Sequence, residues 1–219
     1  MGIAFGAGKE IKAGGGVNTR DLEINLSKLA PGEKIKVRLV GEVEPNFRFW
    51  TTTREGKKKP KLTPFFNKET ESFDSGDPLL GQAQKEFFYT VNCIDRSSGE
   101  MKILILKTTV YRYLYSLATD DDYGNPADPV GGYDINITKE KTGPQAQNVK
   151  YNCSPSLKQT PLTDQEKELK LHDLASIYDP GTKEDYMQWV KENTTYLDDD
   201  VPYGDVGDKG HDKDDDIPF

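Results

Sequence analysis

Apolar and polar residues alternate along the front half of this chain. Leu22, Ile24 and Leu26 alternate in DLEINL. In KIKVRLVGE, Ile35, Val37 and Leu39 fall on one side and Lys34, Lys36 and Arg38 on the other. A period of two predicts half-buried strands. NFRFWTTTR repeats the pattern, with Phe47 and Phe49 opposite Arg48, Trp50 and Arg54, and the intervening EVEPN predicts a hairpin. EGKKKPK then reads as a basic loop, and TPFFNKETESFDSGDPLLGQAQ as a long, turn-rich insertion.

Two further strands follow, EFFYTVNCID and the almost wholly apolar MKILILKTT. RSSGE joins them as a hairpin turn, and the second should be central. TVYRYLYSLA fits a short helix capped by Thr108 or Thr109, with Val110, Leu114 and Leu117 along one side. Past the polar loop TDDDYGNPADPVGG, YDINITK and NVKYNCS predict another hairpin. The last third reads as helical. Thr163 and Glu166 form a Thr-x-x-Glu capping box at the head of TDQEKELKLHDLASIYD, and TKEDYMQWVKEN follows Pro180-Gly181.

The periodic stretch is bracketed by two that lack periodicity. Residues 1–20 are glycine-rich and read as a flexible arm, residues 21–193 as the folded core, and residues 194–219 as a disordered acidic tail. Five to seven strands in hairpins, with a short helix between hairpins and helices appended, predict a mainly β, α+β fold. The barrel of that description that binds oligonucleotides is the OB-fold, a five-stranded Greek-key barrel, here with an extra hairpin and C-terminal helices.

Charge sharpens this division. The chain of 219 residues has a net charge of −8, yet nine aspartates and two lysines from Asp198 onward carry −7 of it. Lys34 to Lys61, by contrast, holds nine basic and three acidic residues. An acidic average argues against binding phosphate, but a basic band of this size reverses the argument locally. No apolar run reaches the ~20 residues of a membrane span. The N-terminus lacks a signal peptide's charge and apolar stretch, and Gly6 stands where N-myristoylation wants Ser or Thr. These features point to a cytoplasmic protein. Cys93 and Cys153 lie in strand-like segments, as two reduced core residues or as a disulfide.

A single-strand binder needs cations spaced along a groove and flat rings for unpaired bases. The candidate DNA-binding residues are Lys36, Arg38, Arg48, Trp50, Arg54, Lys57, Lys58, Lys59 and Lys61, with Tyr111, Arg112 and Tyr115 from YRYLY. Phe47, Phe49, Phe87 and Tyr89 alternate inward and are assigned to the core. Catalysis finds no footing. The chain has two histidines, His172 and His211, and no P-loop, Gly-x-Ser-x-Gly or His-Glu-x-x-His. DDDYG and LDDDVP are acidic, but neighbouring aspartates in a loop point apart. No enzyme activity, metal, cofactor or small-molecule substrate is expected.

The final DDDIPF resembles the C-terminal tip of bacterial single-stranded DNA-binding proteins. That resemblance implies docking of replication and recombination proteins (polymerase, primase, helicase or recombinase) through Asp214, Asp215, Asp216, Ile217, Pro218 and Phe219. The body resembles instead the single-stranded DNA-binding, helix-destabilising proteins of T4-like tailed phages. The shared features are LEINL…GEKIKVRLV, EFFYTVN, VYRYLY, DPVGGYDINITKEKTG…VKYNCSPS and DLASIYDPGTKEDY, over roughly residues 21–190. The resemblance implies an OB-fold with a basic and aromatic groove, acting in phage replication, recombination and repair inside a bacterium. Two departures stand out. Residues 57–85, where those proteins carry a zinc ribbon, have neither Cys nor His, so no zinc is expected. The arm has only Lys9, Lys12 and Arg20 where theirs is basic and drives cooperativity.

The aspartate string would mimic a phosphate backbone and occupy the basic groove until DNA displaces it. A merely solubilising tail accounts for the aspartates but not for Ile-Pro-Phe. The alternative from another class is an acidic adaptor or DNA mimic that binds basic proteins and ignores DNA.

Overall fold

The computed structural model describes residues 19–145 and 148–198. The arm up to Asn18, and the tail from Asp199 with the candidate docking residues Asp214–Phe219, lie outside the described residues. Among the described residues, nine strands and four α-helices follow in chain order. They are β1 (Glu23–Asn25), β2 (Lys34–Thr52), β3 (Lys58–Leu62), β4 (Phe66–Asn67), β5 (Ser72–Phe73), β6 (Gln84–Asp95), β7 (Met101–Leu106), α1 (Thr108–Ala118), β8 (Ile135–Lys141), β9 (Val149–Pro155), α2 (Asp164–Lys167), α3 (Leu174–Ile177) and α4 (Lys183–Asn193).

The main sheet is open and mixed, in the order β1-β7-β6-β2-β8-β9, with β3 paired to β2. β1 runs parallel to β7, whereas β6–β7, joined through RSSGE, and β8–β9 are the antiparallel hairpins expected. The apolar strand β7 is flanked on both sides, as its composition requires.

The chain forms two compact units. Among the described residues, one comprises 19–47, Lys68–Glu71 and Phe87–Asp179; the other comprises Arg48–Asn67, Ser72–Glu86 and 180–198. The first unit's core gathers Val37, Leu39, Val91, Leu104, Leu106, Ile135 and Ile137 from the sheet, with Val110, Leu114 and Leu117 from the predicted face of α1. The second is centred on Phe49, Leu79, Tyr186 and Val190, all essentially inaccessible. Its polar hub is the buried Asp77, whose carboxylate accepts from the Thr63 hydroxyl, the Tyr186 hydroxyl (3.1 Å) and the Leu79 amide (2.8 Å). A buried carboxylate is tolerable only when its lone pairs are filled in this way.

Several expectations are corrected. EVEPN is no hairpin: β2 runs unbroken for 19 residues. Gly41 takes φ +78° within it, so the glycine absorbs a left-handed kink of the kind found at bulges without reversing the chain. The reversal comes later, at Thr53–Lys57, where the Thr53 amide donates to the Lys57 carbonyl (2.9 Å). The basic loop becomes strand β3. Helix α1 starts after Lys107 with no side-chain cap from Thr108 or Thr109. The Thr163–Glu166 capping box is present, but its helix lasts one turn. Asn92 explains the interruption, because its side chain accepts from the His172 amide (3.0 Å) and donates to the His172 carbonyl (3.0 Å), holding that backbone as a strand neighbour would. Asp173 then caps the separate turn α3. Cys93 is buried and Cys153 partly so, both as free thiols. Thr194–Asp198, expected in the tail, belong to the second unit: Thr194 is inaccessible and its hydroxyl donates to the Val190 carbonyl (2.6 Å).

Candidate nucleic-acid interface

The ladder between the end of β2 and β3 organises the second unit's candidates. Its register pairs Arg48 with Leu62, Phe49 with Lys61, Trp50 with Pro60, Thr51 with Lys59 and Thr52 with Lys58. Directly opposed residues share a face, and successive residues alternate faces. One face therefore carries Arg48, Trp50, Thr52 and, across the ladder, Lys58. The other carries Phe49 and Thr51, both inaccessible, with Lys59 and Lys61.

On the first face, Glu86 of β6 accepts from Arg48 Nε (2.7 Å) and from the Trp50 indole N–H (2.7 Å), both at Oε2. The guanidinium carbon lies 5.1 Å from the indole centroid, within cation–π range. Trp50 is half-buried, Lys58 exposed. Arg48 and Trp50 share a strand face as their alternation predicts, but Lys58 joins them from strand β3 rather than from a loop, and Arg54 is not on that face.

The remaining second-unit candidates lie elsewhere. Arg54 is past the strand end. Its guanidinium grips the Asp198 carboxylate through two nitrogens (2.8 and 2.6 Å) and reaches the carbonyls of Lys191 (3.0 Å) and Glu192 (3.2 Å) at the end of α4. The hydrogen bond raises the Arg54 pKa and lowers that of Asp198. Tyr196 adds to this attachment, its hydroxyl accepting from the Thr52 amide (3.2 Å). Lys57 is exposed and paired with Glu55 (2.8 Å). Lys59 is exposed on the second face. The Lys61 ammonium lies 5.2 Å from the Trp189 ring centroid and 5.9 Å from that of Tyr186, and burial lowers its pKa.

In the first unit, Arg38 is a correction. It is inaccessible, and its donors go to the carbonyls of Thr160 (3.0 Å), Leu39 (3.1 Å), Pro126 and Asp128. Alternation placed it on the polar side of the strand correctly, but the loop 126–132 covers that side. Gly132 permits the closure, since a Cβ there would meet the Asp128 carbonyl at 2.3 Å and Arg38 Nη2 at 2.5 Å. Lys36 is half-exposed and bound to Asp134 (3.2 Å), which also accepts from Arg96 (2.8 Å) and Thr160 (3.1 Å). Burial raises the Asp134 pKa, but these bonds outweigh it and the net direction is downward.

The helix aromatics are placed more favourably. Tyr111 stacks on Tyr89 at 3.6 Å and 17°, and Tyr115, 59% exposed, lies 6.1 Å beyond Tyr111. Arg112 is exposed on the same helix. Tyr89 continues edge-on to Phe87 (4.8 Å), and Phe87 to Phe47 (6.5 Å). Phe49 and Tyr89 are core residues as expected, but Phe47 and Phe87 are only half-buried and extend the row of rings. Sequence reasoning missed this row and also Glu86, the first residue of EFFYTVNCID. Alternation within β6 was the available signal for the rings.

No family model matches this sequence. A "Probable ssDNA-binding protein" of Escherichia phage T5 is 30% identical over 125 residues, taking in 49% of this chain and 46% of that protein. The chain thus matches a little under half the length of that relative.

Proposed function

We propose that this chain is a phage protein that binds single-stranded DNA without regard to sequence, protecting and organising it in replication, recombination and repair. The observation that carries the reading is the β2–β3 ladder, which sets a half-buried indole between an arginine and an exposed lysine on one face. Rings and cations at strand spacing are what a sequence-tolerant single-strand site requires. The likeness to the T5 protein supports it. In this reading the sheet is an OB-type Greek-key barrel of the T4-like arrangement, and the protein works in the host cytoplasm and catalyses no reaction. The acidic tail competes with DNA for the cations and recruits replication and recombination enzymes through its Ile-Pro-Phe tip. The Arg54–Asp198 pair supports the competition, because the first carboxylate of the acidic run already occupies a candidate phosphate cation.

The test is a titration with oligo-dT across a salt series, following Trp50 fluorescence in a Trp189→Phe background, for the full chain and a chain ending at Leu197, which keeps Thr194 and Tyr196 but removes the acidic run from Asp198 onward. Quenching is expected, with log K falling against log salt by about 0.7 per phosphate contacted, and tighter binding by the shorter chain. Equal binding by both chains removes the competing tail. No binding by either chain at low salt, to oligo-dT or a mixed-sequence strand, overturns the reading in favour of the acidic adaptor.

A further inference from the structure

A carboxylate at the centre of a face meant for a polyanion has the wrong sign. Glu86 is such a group. It sits between Arg48 and Trp50, with its side chain 15% and that of Arg48 16% exposed. Coulomb repulsion alone would make it a liability for binding phosphate. Its hydrogen bonds give a different account. Both Arg48 Nε and the indole N–H end on the same oxygen, Oε2, each at 2.7 Å, so one atom fixes the edge of the ring and the plane of the guanidinium together.

The guanidinium so held lies 5.1 Å from the indole centroid and covers one ring face. The opposite ring face is the one on which a base would stack. The ring is then ordered before the ligand arrives, and the rotamer entropy otherwise lost on binding has already been spent in folding. Paired with Glu86, Arg48 supports the ring in addition to bringing a cation to the face.

We propose that Glu86 is a positioning residue for single-stranded DNA: its carboxylate oxygen anchors the Trp50 indole and, through Arg48, leaves one ring face for one base. This rests on the reading of Trp50 as a base-stacking residue. It predicts an effect opposite in sign to that of simple charge removal.

The experiment measures binding of fluorescein-labelled oligo-dT to the full chain by anisotropy, for Glu86→Ala and Glu86→Gln. In parallel, the free proteins carrying Trp189→Phe are probed by acrylamide quenching of Trp50. Glu86→Ala removes the acceptor as well as the charge. It should weaken binding at least about five-fold, the lower worth of one stacked base, and leave Trp50 more quenchable. Glu86→Gln keeps an acceptor oxygen and should bind within about two-fold of the native chain. In a Trp50→Phe background, where no indole N–H remains, Glu86→Ala should cost little further, a non-additivity that an effect on folding alone would not produce. Tighter binding by both Glu86 variants overturns the proposal and leaves Glu86 as a repulsive charge. Equal weakening by Ala and Gln overturns it too, since charge rather than the acceptor would then matter. Failure of the native chain to bind is a different result and counts against the function proposed above.

Discussion

The two ends of β2 carry nearly the same sequence signature and put it to different uses. In the first, Lys34, Lys36 and Arg38 alternate with Ile35, Val37 and Leu39; in the second, Arg48 and Trp50 alternate with Phe47 and Phe49. At the first end Arg38 is inaccessible, caged by four carbonyls, and the half-exposed Lys36 is held by Asp134. At the second, no such cage forms: the half-buried indole and the guanidinium are ordered by a single carboxylate, Glu86, with the exposed Lys58 across the ladder. Alternation reports which side of a strand a residue takes. What lies over that side depends on residues far away in sequence.

The largest effect that would break this contrast is on stability. Arg38→Ala leaves four carbonyls short of a donor and should destabilise the chain by about 3 kcal/mol or more, measured by urea unfolding. Oligo-dT affinity of the remaining folded protein should stay within about two-fold. Trp50→Ala should do the converse, weakening oligo-dT binding by about 1–3 kcal/mol with little change in the unfolding midpoint.

A smaller effect concerns pH. Asp134 and Glu166, both joined to Arg96, titrate below their ordinary 3.8 and 4.5, because burial pushes each upward but their hydrogen bonds to partners prevail. A depressed folded pKa gives stability that is present above the ordinary value and lost as the pH falls through the folded one. Unfolding free energy should therefore hold above about pH 5 and decline below about 4.5. Asp134→Asn should flatten that decline while leaving the Trp50 face intact. The smallest effect is on salt dependence: Lys58→Ala should reduce the log–log slope by about 0.7, whereas Lys36→Ala should leave it unchanged.

What was legible in the sequence was local. The β6–β7 and β8–β9 hairpins, the Val110–Leu114–Leu117 face of α1, helix α4 and the capping box at Thr163 all rest on neighbours within a few residues. Each failure involved a distant partner. KKPKL has poor strand propensity and becomes β3 because β2 supplies a ladder. The helical pattern of 163–179 breaks because Asn92, some eighty positions away, takes both backbone groups of His172. For the site, residue types and the strand face of Trp50 were readable. The burial of Arg38, the commitment of Arg54 to Asp198 and the bridging by Glu86 were not, since each depends on which carbonyl or carboxylate the fold delivers.

The cage around Arg38 also bears on how this chain unfolds in time. Its carbonyls lie 88, 90 and 122 positions from the arginine, apart from that of Leu39. Contacts of such separation cannot reward the chain until most of the loop-closure entropy has been spent, so the cage should form after the rate-limiting barrier to folding. Interactions made after the barrier leave the folding rate alone and slow the reverse step. Arg38 and Gly132 together act as a latch on the lifetime of the native state, so that a chain lacking either should fold at nearly the native rate and come apart much sooner.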